Sequence, residues 1–589
     1  MSISANYPAL RPALLLDFAN SQQLDPRVTF SRSTTAPYYD GKTSALAEQN
    51  LQVYSQAIGG TGWSLNQISA NLNNAVAPDG TTTMSQLVEN VTTANHYVNL
   101  ASGISFTSGL SYTISVYMQI GVGATAPSIM QVWANNFVAT AYANFNISTN
   151  AVANTNNCTA VISQVGSSTI YRCSITITAT STTSTTNLGI AFTNNNSALG
   201  FVPSYLGVAT SDVKVWGFQV EQRSSVTAYN ATTTTAITNY IPQLLTAPIN
   251  APRFDFNPTT GESLGLLIEQ SSTNLLTYSS DLSTWGLNGL PTLTVNATIS
   301  PDGTQTANQV VTTGSSQGYY KYASTTIGTS YTGSQYFKLA SGAGVFNNIN
   351  VGLSVTNGSM NVNLSTGVAS SIGAGITSYS VVSAGNGWWR ISVSAVATAV
   401  STGWTFISGQ AETLLLWGAQ LEALAFPTSY IPTTSAQVTR AADVPPLQTS
   451  GWFNSGQGTF YTEIIPLYTI GTNRIQTVSS NVSSLVQYLN NSTGGLQTFD
   501  GTNFALTSNV ATANTSNKLA TTYSTVSNTL TACLNGSTVA ISSAYTNAFA
   551  NASNIWIGTS GGALNGRIKK LAYYPQALTS AQLQSLTGS

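Results

Sequence analysis

Leu415-Leu416-Trp417-Gly418-Ala419-Gln420-Leu421-Glu422, followed by Pro427-Thr428-Ser429-Tyr430-Ile431-Pro432, is the stretch around which the chain is organised. An earlier stretch reads Val215-Trp216-Gly217-Phe218-Gln219-Val220-Glu221, followed by Thr227-Ala228-Tyr229. The blocks that these stretches close also open alike. Asn50-Leu51, Trp63 and Pro78-Asp79-Gly80-Thr81 answer to Asn274-Leu275, Trp285 and Pro301-Asp302-Gly303-Thr304. Such spacing marks a module copied in tandem. In Val215 to Glu221, strand spacing puts Trp216, Phe218 and Val220 on one face, which makes that face core. Trp417 and Trp556 are assigned to cores as well.

Working outward, residues 1–50 form an N-terminal docking segment holding Asp17, Asp25, Arg27, Arg32, Asp40 and Lys42. The other reading of this segment is a strand pair packed on the first module, with Arg27 to Arg32 alternating as a strand does. Residues 51–235 are the first module and residues 236–273 a connector stiffened by Pro242, Pro248, Pro252 and Pro258. Residues 274–446 repeat the module, and residues 447–589 form a different domain. Alternation such as Tyr112 to Tyr117 and Tyr171 to Ile177, broken by Ser/Thr-rich turns, predicts an all-β chain of tandem β-sandwich or jelly-roll domains. The tail from Leu578 to Leu586 is the best helix candidate, with Thr579 or Ser580 as cap and Leu583 and Leu586 on one face.

Of the 589 residues, 42% are hydrophobic, enough for real cores, and only 6% are charged, against about 25% in ordinary soluble proteins. A net charge of −1 offers no electrostatic footprint for nucleic acid or anionic membrane. Solubility then rests on hydroxyl and amide groups, which suit static assemblies and sugars. The start Met1-Ser2-Ile3-Ser4-Ala5-Asn6 has no basic, apolar signal pattern, and no membrane span is read. We therefore expect synthesis in a cytoplasm and no membrane insertion. Cys158 and Cys173 lie in one module. They are either bridged or, like Cys533, buried free thiols.

The inventory argues against catalysis. His96 is the only histidine, so a two-histidine zinc site is excluded, and a strand role is expected for it. No phosphate-binding loop is present. Glycan hydrolysis needs two carboxylates around one bond, but Glu221 and Glu422 end the same strand in both copies, as a fold feature would. The charges Asp79, Arg172 and Glu221 recur as Asp302, Arg390 and Glu422. The expectation is a structural ion pair Arg172–Glu221 and another Arg390–Glu422. Sugar binding would use rings flanked by amides. The candidates are Trp133 with Asn135 and Asn136, Tyr319 and Tyr320 with Gln317, and Trp452 with Asn454, each set against burial in a sandwich.

Gly566 to Tyr574 followed by Leu578 to Leu583 resembles the end of concanavalin-like (laminin-G-like) sandwiches. Trp417 to Glu422 with Pro427 to Thr433 resembles the carbohydrate-binding jelly rolls of bacteriophage virion proteins. Thr29 to Thr35, Pro252 to Asp255 and Gly261 to Glu269 are similar to phage tail and fibre sequences. The resemblance implies a C-terminal concanavalin-like sandwich, a homotrimer, and a place on the virion surface among other virion proteins. For the repeated acids it also implies the rival role of structural calcium ligands; no other cofactor or metal is expected. The resulting expectation is a tail fibre or spike-type structural protein that binds host cell-surface glycans without catalysis. The alternatives are a capsid decoration or head fibre protein and a polysaccharide-degrading enzyme.

Overall fold

The computed structural model describes residues 11–121, 128–136, 139–194, 200–314, 316–344, 347–351, 358–469, 475–480, 485–546, 549, 552–558 and 563–588. Two compact units emerge, one of Leu46–Tyr240 with Ala297–Ile299 and the other of the remaining chain. The protein is all-β, a series of β-sandwiches. Among the described residues the α-helices are Phe18–Ser21 and Ser580–Gly588, and no helix is long and apolar enough to cross a membrane.

In the first module one sheet runs in the order Thr159–Gln164, Ile170–Thr178, Ser111–Ile120, Asp212–Glu221, Met84–Glu89, Ile68–Ala75. The second module has Ile376–Gly385, Trp388–Val396, Ser330–Ser341, Ala411–Glu422, Ala307–Thr313, Thr292–Thr298 in the same places. The opposing sheets match as well. Ala151–Asn156, Ala141–Asn146, Ile129–Asn135, Thr183–Phe192, Tyr97–Leu100 and Trp63–Asn66 are answered by Val368–Ser370, Ser359–Asn363, Asn347–Val351, Ser401–Ser408, Gln317–Ser324 and Gly286–Asn288. Inward residues of both sheets meet in one core per module, Ile114, Val132, Ile175 and Phe218 in the first and Val310, Phe337, Ile391 and Trp404 in the second.

The tryptophan strand departs from simple alternation. Gly217 and Gly418 both adopt φ +64, a left-handed backbone that suits glycine. There the pairing slips by one residue: Gln219 lies opposite Ser115 while Trp216 lies opposite Tyr117, and Gln420 and Trp417 lie opposite Ser334 and Tyr336. This β-bulge re-aims the side chains that precede it. Phe218 and Val220 enter the core, whereas Trp216 packs on the other face with Met84, Ile170 and Tyr229. Trp216 thus does not share a face with Phe218 and Val220. The chain beyond the strand folds back to cover the indole, with Tyr229 4.4 Å from Trp216 and Tyr430 4.6 Å from Trp417, centroid to centroid. Trp556, assigned to a core from sequence, is only half-buried.

The C-terminal sandwich borrows strands from elsewhere in the chain. One edge of Gly566–Tyr574 pairs with Gln457–Pro466. The other edge takes Ser263–Ile268 of the connector over its first half and Leu14–Leu16 over its second. An apolar strand left with a free edge would invite wrong pairing, and these two segments close it. Leu14–Leu16 of the N-terminal segment thus docks on the C-terminal sandwich. Arg27 to Arg32 makes only the isolated bridges Val28–Leu447 and Ser31–Val444 in place of a regular strand. The tail helix Ser580–Gly588 buries Leu583 and Leu586, and the Thr579 amide and hydroxyl both donate to Gln582.

The N-terminal segment, the connector and the end of the second module share a buried set of charges. Arg32 Nη1 lies 2.9 Å from Asp443, Arg253 bridges Asp443 at 2.5 Å and Glu269 at 2.8 Å, and Arg440 stands 3.6 Å from Glu269. All five side chains are at most 2% exposed. Carbonyls take further donors, with Arg32 bonding Thr34 and Pro248 and Arg440 bonding Gln270 and Ala441, while the Nε–H groups of Arg253 and Arg440 meet no acceptor among the described residues. Burial alone would favour protonated Glu269. Arg440, Arg253 and the hydrogen bonds from Ser429 outweigh it and hold the carboxyl well below the usual carboxylate range.

Breaking such a set leaves unpaired buried charge. Asp443→Asn should lower the unfolding free energy of this unit by about 3–5 kcal/mol, measured as a drop in the denaturant midpoint; an unchanged midpoint would remove the cluster from the stability argument. Because the Glu269 pKa is depressed on folding, its contribution is complete above its unfolded value of about 4.3 and is lost as pH falls below that. The wild-type midpoint should decline over that range, and less steeply in Glu269→Gln.

Candidate functional site

The duplicated charges form a latch of a kind that sequence pairing did not anticipate. Arg172 donates to the Thr227 carbonyl at 2.6 Å and to the Ser115 hydroxyl at 3.0 Å. Glu221 accepts from the amide of the same Thr227 at 3.1 Å and from its hydroxyl. In the second module Arg390 donates to Thr428 O at 2.6 Å and to Ser334, while Glu422 accepts from Thr428 N at 2.9 Å, from its hydroxyl, and from Ser272 at 2.6 Å. The expected pairs Arg172–Glu221 and Arg390–Glu422 are therefore indirect. Each arginine grips the carbonyl side and each glutamate the amide side of one threonine, pinning the returning segment to the sheet. Glu221 does have a cationic neighbour, Arg223, at 3.7 Å. Both oxygens of each glutamate accept hydrogen bonds from the chain itself. Asp79 and Asp302 cap turns, accepting from Thr81 and Thr304. Among the described residues no group of three or more His, Cys, Asp or Glu could hold a metal ion.

Around the latch the two copies agree atom for atom. Asn50 Nδ2 donates to Phe218 O and Asn230 O, and Asn274 Nδ2 to Ala419 O and Ile431 O. Ser55 meets the Tyr229 hydroxyl at 2.6 Å, as Ser279 meets Tyr430. These contacts belong to the fold. His96 is likewise structural, fully buried with Nδ1 2.9 Å from Gln67 O and Nε2 facing the carbonyls of Thr92 and Tyr205. Cys158, Cys173 and Cys533 are free thiols, and burial pushes the pKa of each upward.

Three of the rings proposed for sugar stacking have no free face. Trp133 is 3% exposed, enclosed edge-on by Tyr97 and Phe201, and its indole N–H meets no acceptor among the described residues. The neighbouring Asn135 is half-buried. Tyr319 lies in the second module's core, and Trp452 is packed on Phe460 and Tyr573 with its N–H on Gln448 O at 2.6 Å. In each case the β-period or a neighbouring aromatic cluster turns the ring inward, where desolvation favours it.

Tyr320 behaves otherwise. One residue on from the core Tyr319, it points to the opposite face of its sheet, and Tyr322 points the same way. The two half-buried rings lie 5.1 Å apart and 39° from coplanar, and neither belongs to a core. Tyr320 is paired with Gly286 on one neighbouring strand, and Tyr322 with Gly403 on the other. A Cβ on Gly286 would fall 2.4 Å from the Tyr320 ring, and one on Gly403 would fall 2.6 Å from Tyr322. The glycines thus let both rings lie down across the backbone, a tilted aromatic platform. Tyr322 was missed from the sequence, although Tyr320-x-Tyr322 at strand spacing is a visible signal. The pairing with glycine is not visible before the register is known.

No family model matches the chain, and no curated protein matches it. Among solved structures it is similar to the CBM40 of the IT-sialidase of Ruminococcus gnavus, solved bound to α2,3-sialyllactose, at 15% identity, 23% of this chain, 83% of that chain and TM-score 0.20. It is also similar to the CBM22-1–CBM22-2 tandem domain of Xyn10C from Paenibacillus barcinonensis, at 12% identity, 65% and 99% coverage and TM-score 0.19. At such scores neither likeness carries an argument about what this chain binds.

The latch makes a paired prediction. Glu422→Gln turns an amide NH2 toward donors and should destabilise its module by about 1–3 kcal/mol, with Glu221→Gln costing a similar amount in the first module. Thermal unfolding of the two variants measures this, and a neutral result in either would remove the latch from the stability of that copy.

Proposed function

We propose that the chain is a non-catalytic, glycan-binding structural protein of a bacteriophage particle, of tail fibre or spike type. It is exposed on the virion, associated with other virion proteins and assembled as a homotrimer. The observation that carries the glycan reading is the Tyr320–Tyr322 platform. A pyranose offers an apolar C–H face that stacks on a flat ring, while its hydroxyls bond to amides and hydroxyls at the rim. Asn288 and Gln317 stand on the strands that carry and flank the two rings. A surface with 6% charged residues favours this neutral chemistry over salt-dependent binding.

The phage assignment rests on the resemblance of Thr29 to Thr35, Pro252 to Asp255, Gly261 to Glu269 and Pro427 to Thr433 to virion sequences. The non-catalytic reading is supported by four buried carboxylates, those of the two latches and of the charge cluster. Glycosidases need one carboxyl that keeps a proton and another free to act, and Glu221, Glu269, Glu422 and Asp443 are all engaged by donors or arginines.

A glycan array of host surface polysaccharides tests the reading. Tyr320→Ala and Tyr322→Ala should each weaken binding by about 2- to 10-fold, since a ring contact contributes about 0.5–1.5 kcal/mol and 1.4 kcal/mol is tenfold. Full binding by the double variant would rule out the platform, and sugar release by the wild-type chain would restore the enzyme alternative.

A further inference from the structure

The indirect latch leaves a charge unanswered. Arg390 was expected to pair with Glu422, but its contacts are the Thr428 carbonyl, the Ser334 hydroxyl and the Tyr336 ring, 5.6 Å from the guanidinium carbon. No carboxylate among the described residues forms an ion pair with it. Arg390 lines a cleft of about 650 Å³ that lies wholly within one compact unit. That volume is in the range of sites for small ligands. The other charges in the lining are committed, Asp255 to Arg567 at 2.8 Å and Glu269 to Arg253 at 2.8 Å. Behind Glu269, moreover, the buried cluster sets three guanidiniums against two carboxylates. The local balance is positive in a chain whose net charge is −1.

The remaining lining has the make-up of a sugar subsite. Tyr38 and Tyr379 supply ring faces, Tyr379 being 46% exposed, while Asn257, Asn514 and Ser378 supply amide and hydroxyl partners. A guanidinium offers several donors in a planar fork suited to a carboxylate, and its partial burial strengthens that preference. We propose that this cleft is a second binding site, separate from the tyrosine platform, for a carboxylate-bearing saccharide of the uronic or sialic acid type. The acid group would meet Arg390, and the sugar ring would lie against Tyr379. The site does not depend on the platform.

Calorimetric titration of the full chain with trigalacturonate and with sialyllactose, each beside its methyl ester, tests this. At least one acid should bind, and its ester should bind 10-fold or more weakly. Arg390→Gln should erase the difference between acid and ester. Because that substitution also loosens Thr428, Tyr379→Ala provides a second test on an exposed side chain and should weaken the acid by about 5-fold or more. The preference for acid over ester, which a neutral ring pair does not supply, should persist in Tyr320→Ala. Equal affinity for acid and ester, no binding of either acid, full binding by Tyr379→Ala, or loss of the acid-over-ester preference in Tyr320→Ala would each overturn the proposal.

Discussion

Five buried side chains, Arg32, Arg253, Arg440, Asp443 and Glu269, tie the N-terminal segment and the connector to the end of the second module. Removing charges from water is costly, and the cost is offset only where geometry and hydrogen bonding are complete. Here Asp443 receives Arg32 on one oxygen and Arg253 on the other, and the Glu269 amide also donates to it at 2.9 Å. In a chain with few charges, this cluster specifies which distant segments meet. Apolar strands such as Leu14–Leu16 and Ser263–Ile268 have many equivalent partners. The charges admit one, and so position both strands along Gly566–Tyr574.

Each module solves a different problem, that of burying both faces of one strand. The bulges at Gly217 and Gly418 send Phe218 and Ala419 inward and the tryptophans outward. The outward face would then be an apolar patch in water. The returning segment covers it with Tyr229 or Tyr430, and the Arg–Thr–Glu latch pins that cover. The quoted motif Trp-Gly-Ala-Gln-Leu-Glu with Pro-Thr-Ser-Tyr is thus architecture, each residue accounted for by the bulge, the cover or the latch.

Placement decided the fate of the candidate rings. Trp133, Tyr319 and Trp452 were eligible by neighbourhood, since amides flank them in sequence, yet all three are buried. Burial of a large ring is worth more than a chance flank of polar residues, so sequence proximity to Asn or Gln says little about exposure. Tyr320 stays at the surface because its sheet pairs it with a glycine. Arg390 gains interest for a related reason: the repeat pattern matched it to a carboxylate, and the geometry interposed Thr428.

The all-β class, the duplication and the strand nature of the segments ending at Glu221 and Glu422 were legible in the sequence, because alternation and repeated motifs are local periodic signals. The tail helix was legible for the same reason. Only the tertiary structure decided that Trp216 and Phe218 face opposite ways, that Leu14–Leu16 joins the last domain, and that Tyr320 and Tyr322 each lie over a glycine. A bulge changes face parity without changing composition, and pairing partners hundreds of residues apart leave no periodic trace. Such contacts are set by register and by the burial of a few charges, both of which exist only once the chain has closed on itself.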